Sequence, residues 1–161
     1  MSAVLQSQEA QLEPMAAEHL GQVLAVKCQT YTHPWSRGNF MDSLQHGYRM
    51  QMLTGPVPGQ QQSVLLAYFV AMKGVDEVHL LNLTVAPAWQ RQGWAQVMLD
   101  ALAIWARGQG AQWLWLEVRA SNERAQHVYR SNGFRRVGLR KAYYPASDGV
   151  REDAIVMSFK L

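Results

Sequence analysis

The sequence predicts a mixed α/β fold, a mostly antiparallel sheet with helices on both faces. Three observations predict it. Apolar runs of strand length, rich in β-branched and aromatic residues, alternate with stretches whose apolar residues recur at helical spacing. Three of the strand-length runs, residues 48–53, 63–72 and 78–85, follow one another with only turn residues between them, as in a meander. The last of these leads through Pro87 and Gly93 into a helix start, so a strand delivers a helix N-terminus into an exposed loop.

The chain has 161 residues, enough for one domain with a core and too few for two. At 48% apolar and 17% charged residues it is an ordinary globular composition, which excludes extensive disorder. The net charge of +3 comes without any Lys/Arg run, so no direct nucleic-acid partner is expected, while a polyanionic cofactor would suit it. The single Cys28 forms no internal disulfide, the first residues lack signal-peptide character, and the apolar run 64–72 is too short for a bilayer. A cytoplasmic protein with no membrane partner is expected, as a monomer or weak dimer.

In chain order, residues 1–7 carry no pattern and read as a flexible tail on a single domain spanning 1–161, and residues 9–12 suit a short first strand. Leu20, Val23, Leu24 and Lys27/Cys28 give a helix to about residue 31, with Cys28 a small buried hydrophobe. Pro34 breaks residues 32–36, and Ser36 caps a second short helix through Phe40 and Leu44 that Gly47 ends. Residues 48–53 and 63–72 are strands joined by the Gly55 to Gly59 turn, and 78–85 is the next antiparallel partner. Ala95, Met98, Leu99, Leu102 and Trp105/Ala106 share one face of a helix that Gly108 and Gly110 stop. Residues 113–119 form a strand with Trp113, Trp115, Glu117 and Arg119 on one face. Asn122 caps a helix with Ala125, Val128 and Tyr129 inward, closed by Asn132 and Gly133. Residues 134–140 and 154–160 read as a final strand pair around a long loop, 141–153.

The strand-to-helix loop has the makings of an anion cradle. A helix start offers unpaired N–H groups and the positive end of its dipole, Gly93 and Ala95 carry almost no side chain, and Arg91 adds a charge at the rim. There is no Gly-Lys-Ser/Thr and no Gly-x-Gly-x-x-Gly, so it is neither a P-loop nor a dinucleotide fold. Read on its own, the Gly could equally serve an ordinary β-turn-α connection. Trp94, bulky beside it, is expected to point outward; pointing in would weaken the cradle.

A candidate base for amine chemistry is Glu117, a single carboxylate among large aromatics. Spacing alone leaves open a strand-end Glu paired with Arg119 or another cation. The five His residues show no metal-ligand spacing, and no metal is expected.

The spacing Gln90-x-x-Gly93-x-Ala95 resembles the pyrophosphate motif of the GNAT acetyltransferases. Leu116-Glu-Val-Arg-Ala-Ser-Asn122, Tyr129-Arg-Ser-Asn-Gly-Phe134, the run from Tyr143 to Met157, and His33-Pro-Trp-Ser36 are together similar to the RimI-type N-terminal protein acetyltransferases, over nearly the whole chain from about Leu12. That resemblance implies the GNAT fold with a splayed central strand pair, acetyl-CoA as co-substrate, and transfer to the N-terminal alanine of a small-subunit ribosomal protein in a ternary complex. It also implies roles. Glu117 would be the base and Tyr129 the acid for the departing thiolate. Leu83, Thr84 and Val85 would bind the cofactor through the backbone, with Arg91, Gln92, Gly93, Trp94, Ala95 and Gln96 around the pyrophosphate and Asn122 on the pantetheine arm. Pro34, Trp35, Tyr143 and Tyr144 would select the substrate, in a slot made acidic by Asp148, Glu152 and Asp153. The alternatives are a GNAT enzyme acting on lysine or a small amine, and a non-catalytic acyl-CoA-binding module, against which the presence of both Glu117 and Tyr129 argues.

Overall fold

Ser36 opens a helix as a polar side chain before a helical run should: its hydroxyl accepts the Asn39 N–H at 3.2 Å, while Asn39 Oδ1 accepts the Ser36 N–H at 2.8 Å. The computed structural model describes residues 9–30 and 34–161, the side chains of residues 28–30 excepted. The expected tail and the readings of Cys28, Thr32 and His33 lie outside the described residues.

Two compact units are described in turn, the first formed by residues up to 70 with 82–98, the second by 71–81 with 99–161. The first contains β1 (Gln11–Pro14), α1 (Leu20–Thr30), α2 (Arg37–Gln45), β2 (Arg49–Gly55), most of β3 (Val64–Lys73), the second half of β4 (Glu77–Val85) and the first turn of α3 (Trp94–Gly108). Its strands run in the order β1-β2-β3-β4, with β1 antiparallel to β2 from Gln11/Thr54 to Pro14/Gln51. The first strand lies two residues later than the apolar pattern placed it. Residues Leu65 to Ala71 of β3 are buried without a break, which is why this run is continuously apolar instead of alternating: both of its faces are covered. Phe40 of α2 is fully buried, with its ring 5.8 Å from that of Tyr68 on β3.

The second unit holds the start of β4, the rest of α3, β5 (Trp113–Arg119), α4 (Glu123–Ser131), β6 (Arg135–Pro145) and β7 (Arg151–Lys160), with the strands in the order β4-β5-β7-β6. β5 is parallel to β4 and antiparallel to β7. The chain thus has the mixed, mostly antiparallel seven-stranded sheet expected of it. Along β5 burial alternates, with Leu114, Leu116 and Val118 inside and Trp113, Trp115, Glu117 and Arg119 on the more open face, as the period-2 pattern requires.

The last third departs from expectation. Residues 141–145, read as loop, continue β6, which pairs with β7 as far as Pro145/Arg151. The register slips twice, between Arg136 and Gly138 and between Arg140 and Tyr144, and Ala142 at the second slip takes φ +50. Two β7 side chains hold this bulge: Asp153 Oδ1 accepts the Ala142 N–H at 2.8 Å, and Arg151 donates to the carbonyls of Ala142 and Tyr143, both at 2.7 Å.

α4 ends as its sequence demands. Gly133 takes φ +94, and a Cβ there would lie 2.8 Å from the Phe159 ring of β7. Gly133→Ala therefore combines a disfavoured backbone with a clash against a ring that is itself packed on Phe134 at 5.4 Å. It is expected to cost about 1–3 kcal/mol of stability, read as a lowered midpoint in urea at unchanged slope.

Candidate active site

In the first unit the cradle is a loop pinned by its own glutamines. Gln90 Nε2 donates back to the Val85 carbonyl at 3.1 Å and Gln92 Nε2 to the Ala88 carbonyl at 3.4 Å. Arg91 and Gly93 both take left-handed backbone, φ +62 and +86, and nothing lies within 4 Å of where a Gly93 Cβ would be. Glycine is needed there for its torsion, and the space over it stays open to a ligand. The first turn of α3 closes with the Val97 N–H on the Gly93 carbonyl at 3.3 Å, so the N–H groups ahead of it are the donors that a helix start offers an anion. Arg91 and Gln96 are exposed, Ala95 and Gln92 partly so. These residues fit a pyrophosphate.

Trp94 corrects the expectation. It is 4% exposed, with its indole turned into the protein. Burying so large an apolar ring is worth roughly 2–3 kcal/mol, which outweighs leaving Nε1 without a hydrogen-bond partner. Trp94 therefore packs beneath the helix start, which weakens the cradle by one residue and leaves it to Arg91, Gly93 and the backbone. On β4, Thr84 is buried and its hydroxyl donates to Asn82 Oδ1 at 3.1 Å, while Leu83 and Val85 are half-buried on the other face. Val85 already gives its carbonyl to Gln90. Pro34 and Trp35 are half-buried, and the Trp35 ring packs 5.2 Å from Phe40.

In the second unit the β4–β5 ladder runs only from Glu77/Trp113 to Leu80/Leu116, although both strands continue. Glu117 is the first β5 residue past its end. Its side chain is 7% exposed, and both oxygens are engaged: Oε2 by His79 Nε2 of β4, and Oε1 by Arg140 Nε of β6 at 3.3 Å. The plain reading of Glu117 as the partner of a cation holds, but the cation is the exposed Arg140 and not Arg119. Arg119 instead binds Glu152 Oε1 at 3.3 Å and the Pro145 carbonyl at 2.8 Å, with its guanidinium 4.6 Å from the Tyr144 ring. His79 and Arg140 went unremarked in the sequence because they reach Glu117 through strand register, which no local pattern records.

Asn122 is the α4 N-cap, its Oδ1 accepting the Ala125 N–H at 3.1 Å. Tyr129 is half-buried, its ring 5.7 Å from Phe134. Tyr143, 39% exposed, and Tyr144 meet edge to face at 4.8 Å on the β6 bulge. The acidic slot is largely spent on structure. Glu152 is bound by Arg119 and the Ser121 N–H, and Asp153 by Ala142, while Arg140 lies 5.5 Å from the Tyr143 ring.

Residues 24–134, more than half of the chain, match the acetyltransferase (GNAT) family. The chain belongs to that family and is an acetyltransferase. A ribosomal protein bS18-alanine N-acetyltransferase of Haemophilus ducreyi is 34% identical over 93% of this chain and 99% of its own length. The crystal structure of the ribosomal-protein-S18-alanine N-acetyltransferase from Escherichia coli superposes with a TM-score of 0.80 at 32% identity, covering 94% of this chain and 93% of that one. Arabidopsis thaliana NAA60 in complex with acetyl-CoA shares the fold at a TM-score of 0.82 and 15% identity, over 94% of this chain and 98% of that one. Among the described residues no helix is long and apolar enough to cross a membrane.

Hydrogen bonds from Ser121 outweigh the cost of burial at Glu152 and, with the Arg119 guanidinium, hold its carboxyl below the usual range. A lowered folded-state value stabilises the fold above the unfolded value of about 4.3, and that stability is lost as pH falls through the folded value. Glu152→Gln should therefore melt below the parent protein at pH 7, and the difference in Tm should close as both are titrated toward pH 3.

Proposed function

We propose that residues 1–161 act as one GNAT domain that transfers acetyl from acetyl-CoA to the N-terminal alanine of a small-subunit ribosomal protein, in the cytoplasm. The observation that carries this reading is Glu117, a buried carboxylate placed just where β5 leaves its parallel partner. A terminal ammonium with a pKa of about 7.7–8.0 must lose a proton before it can attack a thioester, and Glu117 is the base. The names of the H. ducreyi and E. coli relatives support the acceptor.

Each unit contributes its own residues. In the first, the N–H groups around Gly93, with Arg91, bind the pyrophosphate; Gln92, Ala95 and Gln96 flank it, and the backbone of Leu83, Thr84 and Val85 meets the pantetheine amides. Pro34 and Trp35 face the acceptor. In the second, Tyr129 returns a proton to the leaving thiolate, Asn122 holds the pantetheine arm, and Tyr143 and Tyr144 wall the acceptor's path. With Glu152 and Asp153 engaged, selection of the acceptor falls to these rings and the backbone around them rather than to a block of negative charge.

The test is thiol release from acetyl-CoA with two peptides of one sequence, the first with a free N-terminal alanine, the second blocked at its terminus but carrying a free lysine. Turnover is expected only with the free terminus; turnover of the blocked peptide would make the enzyme a lysine acetyltransferase. Glu117→Gln is expected to cost about 10²-fold in kcat with little change in acetyl-CoA affinity, and an unchanged rate would remove Glu117 as base.

A further inference from the structure

Taking Glu117 as the base, we infer that His79 carries its proton on to water, so that the amine is deprotonated by a His79–Glu117 pair rather than by a lone carboxylate. The inference rests on that reading of Glu117 and on what surrounds the carboxylate. Among the described residues, the ionic partners brought to it from neighbouring strands are His79 from β4 and Arg140 from β6. A guanidinium has no acceptor and stays protonated, so Arg140 can orient Oε1 but cannot take a proton from it. A neutral imidazole nitrogen can. His79 Nε2 is hydrogen-bonded to Oε2, the oxygen that Arg140 leaves to it.

Position favours the same direction of travel. The Glu117 side chain is 7% exposed and that of His79 is 24% exposed, so the pair runs from a buried acid to a ring that meets solvent. Its geometry follows from register. His79 sits opposite Trp115 in the parallel ladder, and Glu117 lies two residues further along the same face of β5, a diagonal neighbour within reach of a long side chain.

The proton balance of the reaction gives the pair its task. Converting an ammonium and a thioester into an amide and a thiol takes two protons from the nitrogen, one of which ends on the thiol and the other in solution. The N–H bond to the first proton breaks as an O–H bond forms at Glu117. That O–H breaks as Nε2–H forms on His79, which starts as the neutral Nδ1–H tautomer, and the imidazolium gives that same Nε2 proton to water, returning Glu117 ionised and the ring to its starting tautomer for the next turnover. The second proton accompanies departure of the thiolate, by way of Tyr129. No redox partner or metal is needed.

The test compares His79→Ala, His79→Gln and Glu117→Gln, using acetyl-CoA and the peptide with a free N-terminal alanine. His79→Ala is expected to lower kcat about tenfold or more with KM for acetyl-CoA unchanged, and added imidazole is expected to restore part of the rate with a pH dependence that follows free imidazole. His79→Gln, which can hydrogen-bond to Glu117 but carries no proton at neutral pH, should stay as slow as the alanine variant. Full activity and an unchanged pH profile in His79→Gln would overturn the relay and leave His79 as a hydrogen-bonding support, and so would loss in both variants that imidazole does not relieve. Glu117→Gln separates the two readings: if it is slow while His79→Ala is not, the relay alone fails, and if it keeps its rate, the base falls and the relay with it.

Discussion

The short parallel ladder between β4 and β5 is the constraint on which the second unit's chemistry depends. Four residue pairs hold the strands together from Glu77/Trp113 to Leu80/Leu116, and β5 then runs on through Arg119 with only its β7 edge paired. On that edge Val156, Ile155 and Ala154 continue the antiparallel register opposite Glu117, Val118 and Arg119, so β5 stays paired on one side past the end of the parallel ladder. Because side chains alternate, the same stretch presents Glu117 on the face that carries Trp115 and His79, with Leu116 and Val118 turned into the core.

Charge around this face is arranged in pairs rather than as a patch. Glu117 lies between His79 and Arg140, Glu152 between Arg119 and the Ser121 N–H, and Asp153 on the backbone of the β6 bulge. Each acid is fixed, and each of the two arginines also approaches a tyrosine ring, Arg119 that of Tyr144 and Arg140 that of Tyr143. The bulge that carries both rings is thereby tied to the strand that carries the carboxylate. A displacement of Tyr143 or Tyr144 would be felt at Arg140 and Arg119, and through Arg140 at Glu117.

Most of the fold was legible because most of it is local. The period-2 pattern placed β5 on its observed bounds, Ser36 and Asn122 capped the helices that they were expected to cap, and Gly108 ended α3. Failure came where a long-range contact overrides a local signal. Residues 141–145 contain no strand pattern, yet Arg151 and Asp153 hold them beside β7, at a bulge whose Ala142 no propensity scale would place at positive φ. Trp94 read as exposed from its place beside an open loop, but the loop sits over an apolar interior large enough to take an indole. The motif glutamine, Gln90, and the acid Glu117 were visible as residues. The partners that fix Glu117 were not, since His79 is 38 positions away and meets it only through the parallel register.

The order of strands in the second unit has a consequence for how the protein is made. β7 lies between β5 and β6 in the sheet but follows both in the chain. While β5, α4 and β6 are being synthesised, β5 has only β4 to pair with and β6 lacks its partner, because β7, which lies between them, has not been translated. Phe159, which packs against Gly133 and Phe134, arrives with β7, and the Leu161 N–H just beyond that strand is bound to the Gln112 carbonyl at 2.9 Å. The β5–β7 and β6–β7 pairings therefore both wait for β7, and the first of them joins segments far apart in the chain. Until then the edge of β5 that β7 will cover, on a strand with three apolar residues on one face and two tryptophans on the other, stays open during translation, when aggregation competes with folding.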